Sequence, residues 1–90
     1  MNNETKNIIL KRILTYFEKI APGLVKESVE SLSTDHPQID YYDADFYLSK
    51  MEGTFDDVDE NTLRTITLEN IDAINTIFFK HYKDAKADNY

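Results

Sequence analysis

Residues 7–21 read "NIILKRILTYFEKIA", and this stretch decides the fold class. Its apolar side chains recur at intervals of three and four residues, which places them on one broad face of an α-helix. Asn3 is the expected N-cap. The stretch therefore predicts a first helix over about 4–20 and an all-α protein. The apolar face consists of Ile9, Leu10, Ile13, Leu14, Phe17, Ile20 and Ala21.

The tripeptide "APG" at 21–23 predicts the end of this helix, because a proline disfavours the helical conformation in the residue before it. Pro22 then suits the first position of a second helix over about 22–33. The cluster of loop-forming residues "STDHP" at 33–37 ends that helix.

A long helix is also predicted over about 67–86, with Thr67 as its cap. We expect Ile66, Ala73 and Ile77 to point away from its main apolar arc. A dimer contact along the last helix would explain such a second apolar side. The arc itself spreads over about half the circumference and consists of Leu68, Ile71, Ile74, Phe78, Phe79, Tyr82 and Ala85.

Between these helices, the periodicity near "DYYDADFY" (40–47) fits either a helix or a strand. Asp43 is a good N-cap and Gly53 a good left-handed terminator, which favours a helix over 44–52. The alternative pairs residues 46–68 as an antiparallel hairpin around an acidic loop. We therefore predict a small bundle of three to four helices, with an α+β fold as the alternative.

Length and cysteine content narrow the class of protein further. Ninety residues predict a single domain, 1–90. The chain has no cysteine, which excludes disulfides and zinc–thiolate sites. No apolar run is as long as a signal peptide or a membrane span requires, so a cytoplasmic location is expected.

Charge is the strongest signal in the composition. The chain has 17 acidic and 10 basic residues, for a net charge of −7. The charge is unevenly distributed, with +3 over 1–26, −11 over 27–72 and +1 over 73–90. Binding to nucleic acid or to an anionic membrane is disfavoured, because both need clustered lysine and arginine. A basic protein partner is favoured.

No residue pattern indicates catalysis, a cofactor or a metal ion. A calcium loop starting at Asp57 would need glycine and glutamate where Thr62 and Leu68 stand. His36 and His81 have no second histidine at metal-binding spacing. A 90-residue helical chain with two glycines offers little room for a catalytic cleft. We therefore expect a non-enzymatic protein without cofactors.

The segment at about 35–60 combines carboxylates with tyrosines, which are frequent in binding hot spots. If 44–52 is helical, Tyr47, Leu48 and Met51 face inward, Phe46 lies off that face, and the rings before Asp43 are either displayed or packed over the helix ends. The predicted partner-binding residues are Asp40, Tyr41, Tyr42, Asp43, Asp45, Asp56, Asp57, Asp59 and Glu60.

The order of three dipeptides in this segment resembles the immunity proteins of DNase-type colicins in physical design. In that family a His-Pro segment, a Tyr-Tyr pair and an acidic stretch together engage a basic nuclease. Here His36-Pro37, Tyr41-Tyr42 and Asp56-Asp57 occur in the same order, with a shorter gap between the first two and different flanking residues. The resemblance implies an acidic inhibitor of a basic enzyme.

The predicted function is that of an acidic binding protein or inhibitor. Its partner would be a nuclease or another nucleic-acid-binding protein, as for an immunity protein or for a DNA-mimicking anti-CRISPR protein. The alternative is a homo-oligomeric structural or regulatory subunit, a homodimer for instance, that associates through its C-terminal helix.

Overall fold

The computed structural model of the protein describes residues 2–31 and 43–88, with the side chains of residues 2–27 and 43–84. Across this described part, the chain forms four helices and no strand: α1 (Asn3–Ser31), α2 (Ala44–Met51), α3 (Glu60–Glu69) and α4 (Ile71–Asp88). The predicted all-α bundle is confirmed. The alternative hairpin over 46–68 is wrong, because α2, a turn and α3 occupy that stretch.

The core lies between α1 and α4, and α2 and α3 close it from the side. Three rings from different helices meet at its centre. The ring centroid of Phe17 lies 5.1 Å from that of Tyr47 and 5.8 Å from that of Phe78, and the last two lie 5.4 Å apart. All three side chains are fully buried. This aromatic cluster fixes α2 against the long helices.

The predicted helix break at "APG" is wrong, because α1 runs continuously through Pro22. A proline inside a helix costs about 3 kcal/mol. Continuity keeps Ala21 and Val25 in the buried stripe of α1 that begins at Ile9 and includes Phe17, and both are fully buried. Burial of a valine side chain alone stabilises by about 1.5–3 kcal/mol, so tertiary packing offsets the proline. Pro22 itself is exposed.

The segment 62–68 is helical, because α3 is capped and has an apolar face. Asp59 accepts a hydrogen bond from the backbone N–H of Thr62 at 3.1 Å and so begins the helix. Leu63, Ile66 and Thr67 then face the core. The prediction that Thr67 caps the last helix is therefore wrong, because Thr67 lies buried within α3.

The apolar arc of α4 is also rotated from the predicted one. Ile66 and Ile77, expected to point away from the core, are buried in it, whereas Ala73 is exposed. Leu68 and Phe79, expected inside, are 54% and 42% exposed. The reason is that α3 ends at Glu69 and α4 begins at Ile71, so one helical phase does not run through 66–79.

The predicted helix ends at α2 are confirmed. The Asp43 side chain accepts from the backbone N–H of Phe46, and Gly53 adopts a left-handed conformation with φ +83°. At α1 the cap is Asn2 rather than Asn3, since Asn2 Oδ1 accepts from the backbone N–H of Thr5 at 2.8 Å.

Within the aromatic segment, the core includes Tyr47 completely and its neighbours Phe46 and Leu48 only in part. Tyr47 donates its hydroxyl to Asn75 Oδ1. Phe46, expected off the inward face, is half-buried, with its ring edge-on to Phe78 at 6.4 Å. Leu48, expected inside, is also half-buried.

Candidate functional site

The site is built around the turn between α2 and α3, residues 52–59. The backbone N–H groups of Thr54 and Phe55 donate to the carbonyl of Met51, and Asp56 Oδ1 accepts from the backbone N–H of Gly53. Phe55 is buried and anchors the turn in the core. The turn is therefore compact, and its carboxylates lie outside while its ring lies inside.

Asp57 in this turn faces α1. Arg12 donates two hydrogen bonds to it, from Nη1 to Oδ2 at 2.9 Å and from Nη2 to Oδ1 at 3.0 Å. These hydrogen bonds lower the pKa of the Asp57 carboxyl and raise the pKa of Arg12. The same guanidinium lies 4.9 Å from the centre of the Phe55 ring. The pair holds the turn against α1, although both side chains are exposed.

Asp45 and Arg64 connect α2 with α3. The distance from Arg64 Nη1 to Asp45 Oδ1 is 2.9 Å. Both side chains are exposed, so water and salt screen this pair. The contact thus orients the two helices while leaving the carboxylate at the surface.

A groove of about 440 Å³ lies between α2, the turn and α3. Its floor is apolar, with Leu48 and Val58 half-exposed above more deeply buried side chains. Four carboxylates and one cation surround the floor. We call this surface the acidic groove; its charged residues are Asp45, Glu52, Asp56, Glu60 and Arg64.

The predicted partner-binding residues fall into three groups according to where they lie. Asp40, Tyr41 and Tyr42 lie outside the described residues. Asp43 and Asp59 cap α2 and α3, and Asp57 is held by Arg12. The structure brings together the remaining three, which all line the acidic groove: Asp45, Asp56 and Glu60.

Sequence reasoning missed Glu52 and the apolar floor. A signal for Glu52 was present, because Asp45, Ser49 and Glu52 follow one another at i, i+4 and i+7 along the predicted helix 44–52. That spacing places all three on one face, and all three line the groove. Val58 had no such signal, because it stands in a turn between charged residues.

The groove offers carboxylates and an apolar floor but no activated nucleophile among the described residues. Ser49, a hydroxyl at its edge, donates to the backbone carbonyl of Phe46 at 2.7 Å. Within residues 2–27 and 43–84, no three histidine, aspartate or glutamate side chains are placed to hold a metal ion. Charge pairing with cationic side chains and apolar contact are what this surface can provide.

His81 lies outside the groove. It lies on α4, and its Nε2 is 3.1 Å from Glu18 Oε2 on α1. The contact links α1 with α4 and becomes an ion pair when the imidazole is protonated. His36 lies outside the described residues.

Comparison of the chain with protein-family models, curated proteins and solved structures found no match. Of the helices in the described part of the chain, none combines the length and the apolar character that a membrane crossing requires.

Proposed function

We propose that this chain is a non-enzymatic binding protein whose acidic groove receives a basic segment of a protein partner. The observation that carries this proposal is the arrangement of four carboxylates around a partly exposed apolar floor. The partner class is a nuclease or another nucleic-acid-binding protein. The chain occupies the cationic surface of this partner and thereby inhibits it.

The groove suits lysine and arginine side chains along their whole length. Their aliphatic stems lie favourably on apolar surface while their charged ends reach polar groups. Leu48 and Val58 provide that surface, and Glu52 and Glu60 are within the same groove. The apolar contact supplies affinity, and the carboxylates raise the association rate and select against acidic competitors.

Charge density favours local docking over mimicry of a DNA duplex along the whole chain. The described part of the molecule is 46 Å long, and the whole chain of 90 residues carries a net charge of −7. A duplex of that length carries roughly 27 phosphate charges, since DNA has about one per 1.7 Å. The carboxylates therefore replace phosphates at one contact region only, as in an immunity-type inhibitor.

The alternative of a homo-oligomeric subunit loses the basis that suggested it. That basis was a second apolar side on the last helix, formed by Ile66, Ala73 and Ile77. Ile66 and Ile77 are buried within the chain itself, and Ala73 is a small side chain that offers little contact area. We therefore propose one function.

The test compares two variants of equal net charge. The groove variant, Glu52→Gln with Asp56→Asn and Glu60→Gln, removes three charges while keeping hydrogen-bond acceptors. The control variant, Glu4→Gln with Glu27→Gln and Asp84→Asn, removes three exposed charges that do not line the groove.

A partner is first captured from host lysate with the tagged full chain and released by high salt. Its association rate is then measured by surface plasmon resonance from low to high salt. We expect the groove variant to associate about tenfold more slowly at low salt and with a flatter salt dependence. Equal rates for the two variants would refute the proposal.

A further inference from the structure

A second groove, of about 460 Å³, lies on the other side of the turn, along α1. Its α1 residues follow one another at i, i+3, i+4, i+7, i+8 and i+11, which places them on one face of the helix. The buried ring of Phe55 forms part of the opposite wall. We call this surface the basic groove; its principal residues are Ile8, Lys11, Thr15, Tyr16, Lys19 and Phe55.

The walls of the basic groove are held in place by contacts already described and by Tyr16. The Tyr16 hydroxyl donates to the backbone carbonyl of Lys50 at 2.7 Å, and its ring packs edge-on against Phe55 with 5.6 Å between centroids. Arg12 lies over the Phe55 ring and is bound to Asp57. A partner therefore meets a surface that needs little reordering, which favours binding.

The surface that this groove presents to a partner is apolar at the centre and positively charged at the edges. Ile8 is 57% exposed, and the polar groups of Tyr16 and Arg12 are already engaged. Lys11 and Lys19 are exposed and form no ion pair within the described part of the chain. They are eight residues apart, which corresponds to about 12 Å along the helix.

We propose that the basic groove binds an acidic amphipathic helix of a second protein. The span from Ile8 to Lys19 covers about 16 Å of α1, which matches three turns of a docked helix. Such a helix would place apolar side chains against Ile8 and the exposed part of the Tyr16 ring, and acidic side chains seven or eight residues apart against the two lysines. This inference does not depend on the function proposed for the acidic groove.

Charge argues for a protein helix over the other anionic surfaces. Each lysine near an anionic bilayer contributes only about 1 kcal/mol, and lipid or nucleic-acid binding requires larger clusters of lysine and arginine than the two lysines present here. An amphipathic helix supplies apolar contact in addition to charge.

The test is an NMR titration of the full nitrogen-15-labelled chain with a synthetic helix of about 16 residues. The probe carries leucines on one face and glutamates beside them, and a matched probe carries lysines instead of the glutamates. We expect the acidic probe to shift saturably the amide signals of residues 8–19 and of Thr54. The lysine probe, if the acidic groove also functions as proposed, shifts signals near 45–60 instead.

Two variants decide whether the lysines carry the binding. Lys11→Glu with Lys19→Glu should weaken binding of the acidic probe about tenfold or more. Lys26→Glu with Lys80→Glu changes the net charge equally at exposed positions outside the groove and should leave the affinity unchanged. Ile8→Ser tests the apolar contribution separately and should also weaken binding.

Four outcomes would overturn the proposal. The first is the absence of saturable shifts up to about 1 mM probe, and the second is an equal response of residues 8–19 to both probes. The third is binding to phosphatidylserine vesicles that Lys11→Glu with Lys19→Glu abolishes, which would assign the groove to lipid. The fourth is self-association lost in the same variant, seen by sedimentation, which would assign it to a second copy.

Discussion

Arg12 and Asp57, 45 residues apart in the chain, form a two-hydrogen-bond pair that joins the α2–α3 turn to α1. The pair lies between the two grooves, since Arg12 lines the basic groove and Asp57 stands beside Asp56 of the acidic one. The turn therefore forms a wall of both surfaces, and its position decides the shape of each.

The Arg12–Asp57 pair predicts a specific loss of stability in acid. The folded state lowers the pKa of Asp57 through the hydrogen bonds from Arg12. Its contribution is therefore complete above the unfolded pKa, about 3.9, and is lost as the pH falls through the lower folded value. Urea unfolding near pH 7 and below about pH 3 should show a smaller acid loss in Asp57→Asn than in the wild type.

Glu52→Gln is the control for this measurement, because Glu52 forms no ion pair within the described residues. In Glu52→Gln the Arg12–Asp57 pair is intact, so this variant should still lose the stability that the pair contributes when the pH is lowered. An acid loss of the same size in Asp57→Asn and in the wild type would show that the pair does not contribute in solution.

Pro22→Ala should stabilise the protein. An alanine at this exposed position restores the N–H that a continuous helix needs and removes the ring's clash with the preceding turn. After allowance for the greater freedom of the unfolded chain, we expect the free energy of unfolding to rise by about 2 kcal/mol. Thermal unfolding followed by far-UV circular dichroism measures the change. A neutral or destabilising result would mean that α1 is broken at Pro22.

The two glycines should respond to alanine with opposite signs. Gly23 lies within α1 and has open space for a Cβ, so Gly23→Ala should stabilise by about 0.5–1 kcal/mol. Gly53 also has open space but adopts φ +83°, so Gly53→Ala should destabilise by about 1–2 kcal/mol. Urea unfolding of both variants provides the comparison, and equal signs would contradict the assigned backbone conformations.

Thr67→Val should also stabilise the protein. Thr67 is fully buried, and its hydroxyl has no hydrogen-bond partner among the described residues. Valine has nearly the same shape and removes this unsatisfied group, so the free energy of unfolding should rise by about 1 kcal/mol. The control is Thr65→Val, because Thr65 is exposed and donates its hydroxyl to the Asn61 carbonyl. A loss of stability in Thr67→Val alone would indicate a partner for the hydroxyl.

Local patterns predicted those parts of the fold that depend on neighbouring residues. The cap at Asp43 and the left-handed terminator at Gly53 were correct, because a cap involves groups within three or four residues of each other. The helix through Pro22 was not predicted, because the compensating burial of Val25 depends on packing against other elements.

For the candidate site, the sequence predicted the acidic region but not which of its carboxylates line the acidic groove. Of the predicted carboxylates, Asp43 and Asp59 cap helices, Asp57 is paired with Arg12, and Asp45 is paired with Arg64. Which carboxylates remain free depends on the position of distant cations such as Arg12, and composition does not contain that information.

The sequence by itself determined the all-α class, the helix ends at Asp43 and Gly53, and the concentration of negative charge between residues 27 and 72. Periodicity, capping and composition are local or additive properties, so they can be read along the chain. Only the tertiary structure decided that one turn, held by Arg12, separates an acidic groove from a basic one. The physical reason is that the separation of the two grooves arises from contacts between residues far apart in the chain. Burial and charge pairing in these contacts stabilise the fold by more than the local conformational preferences do.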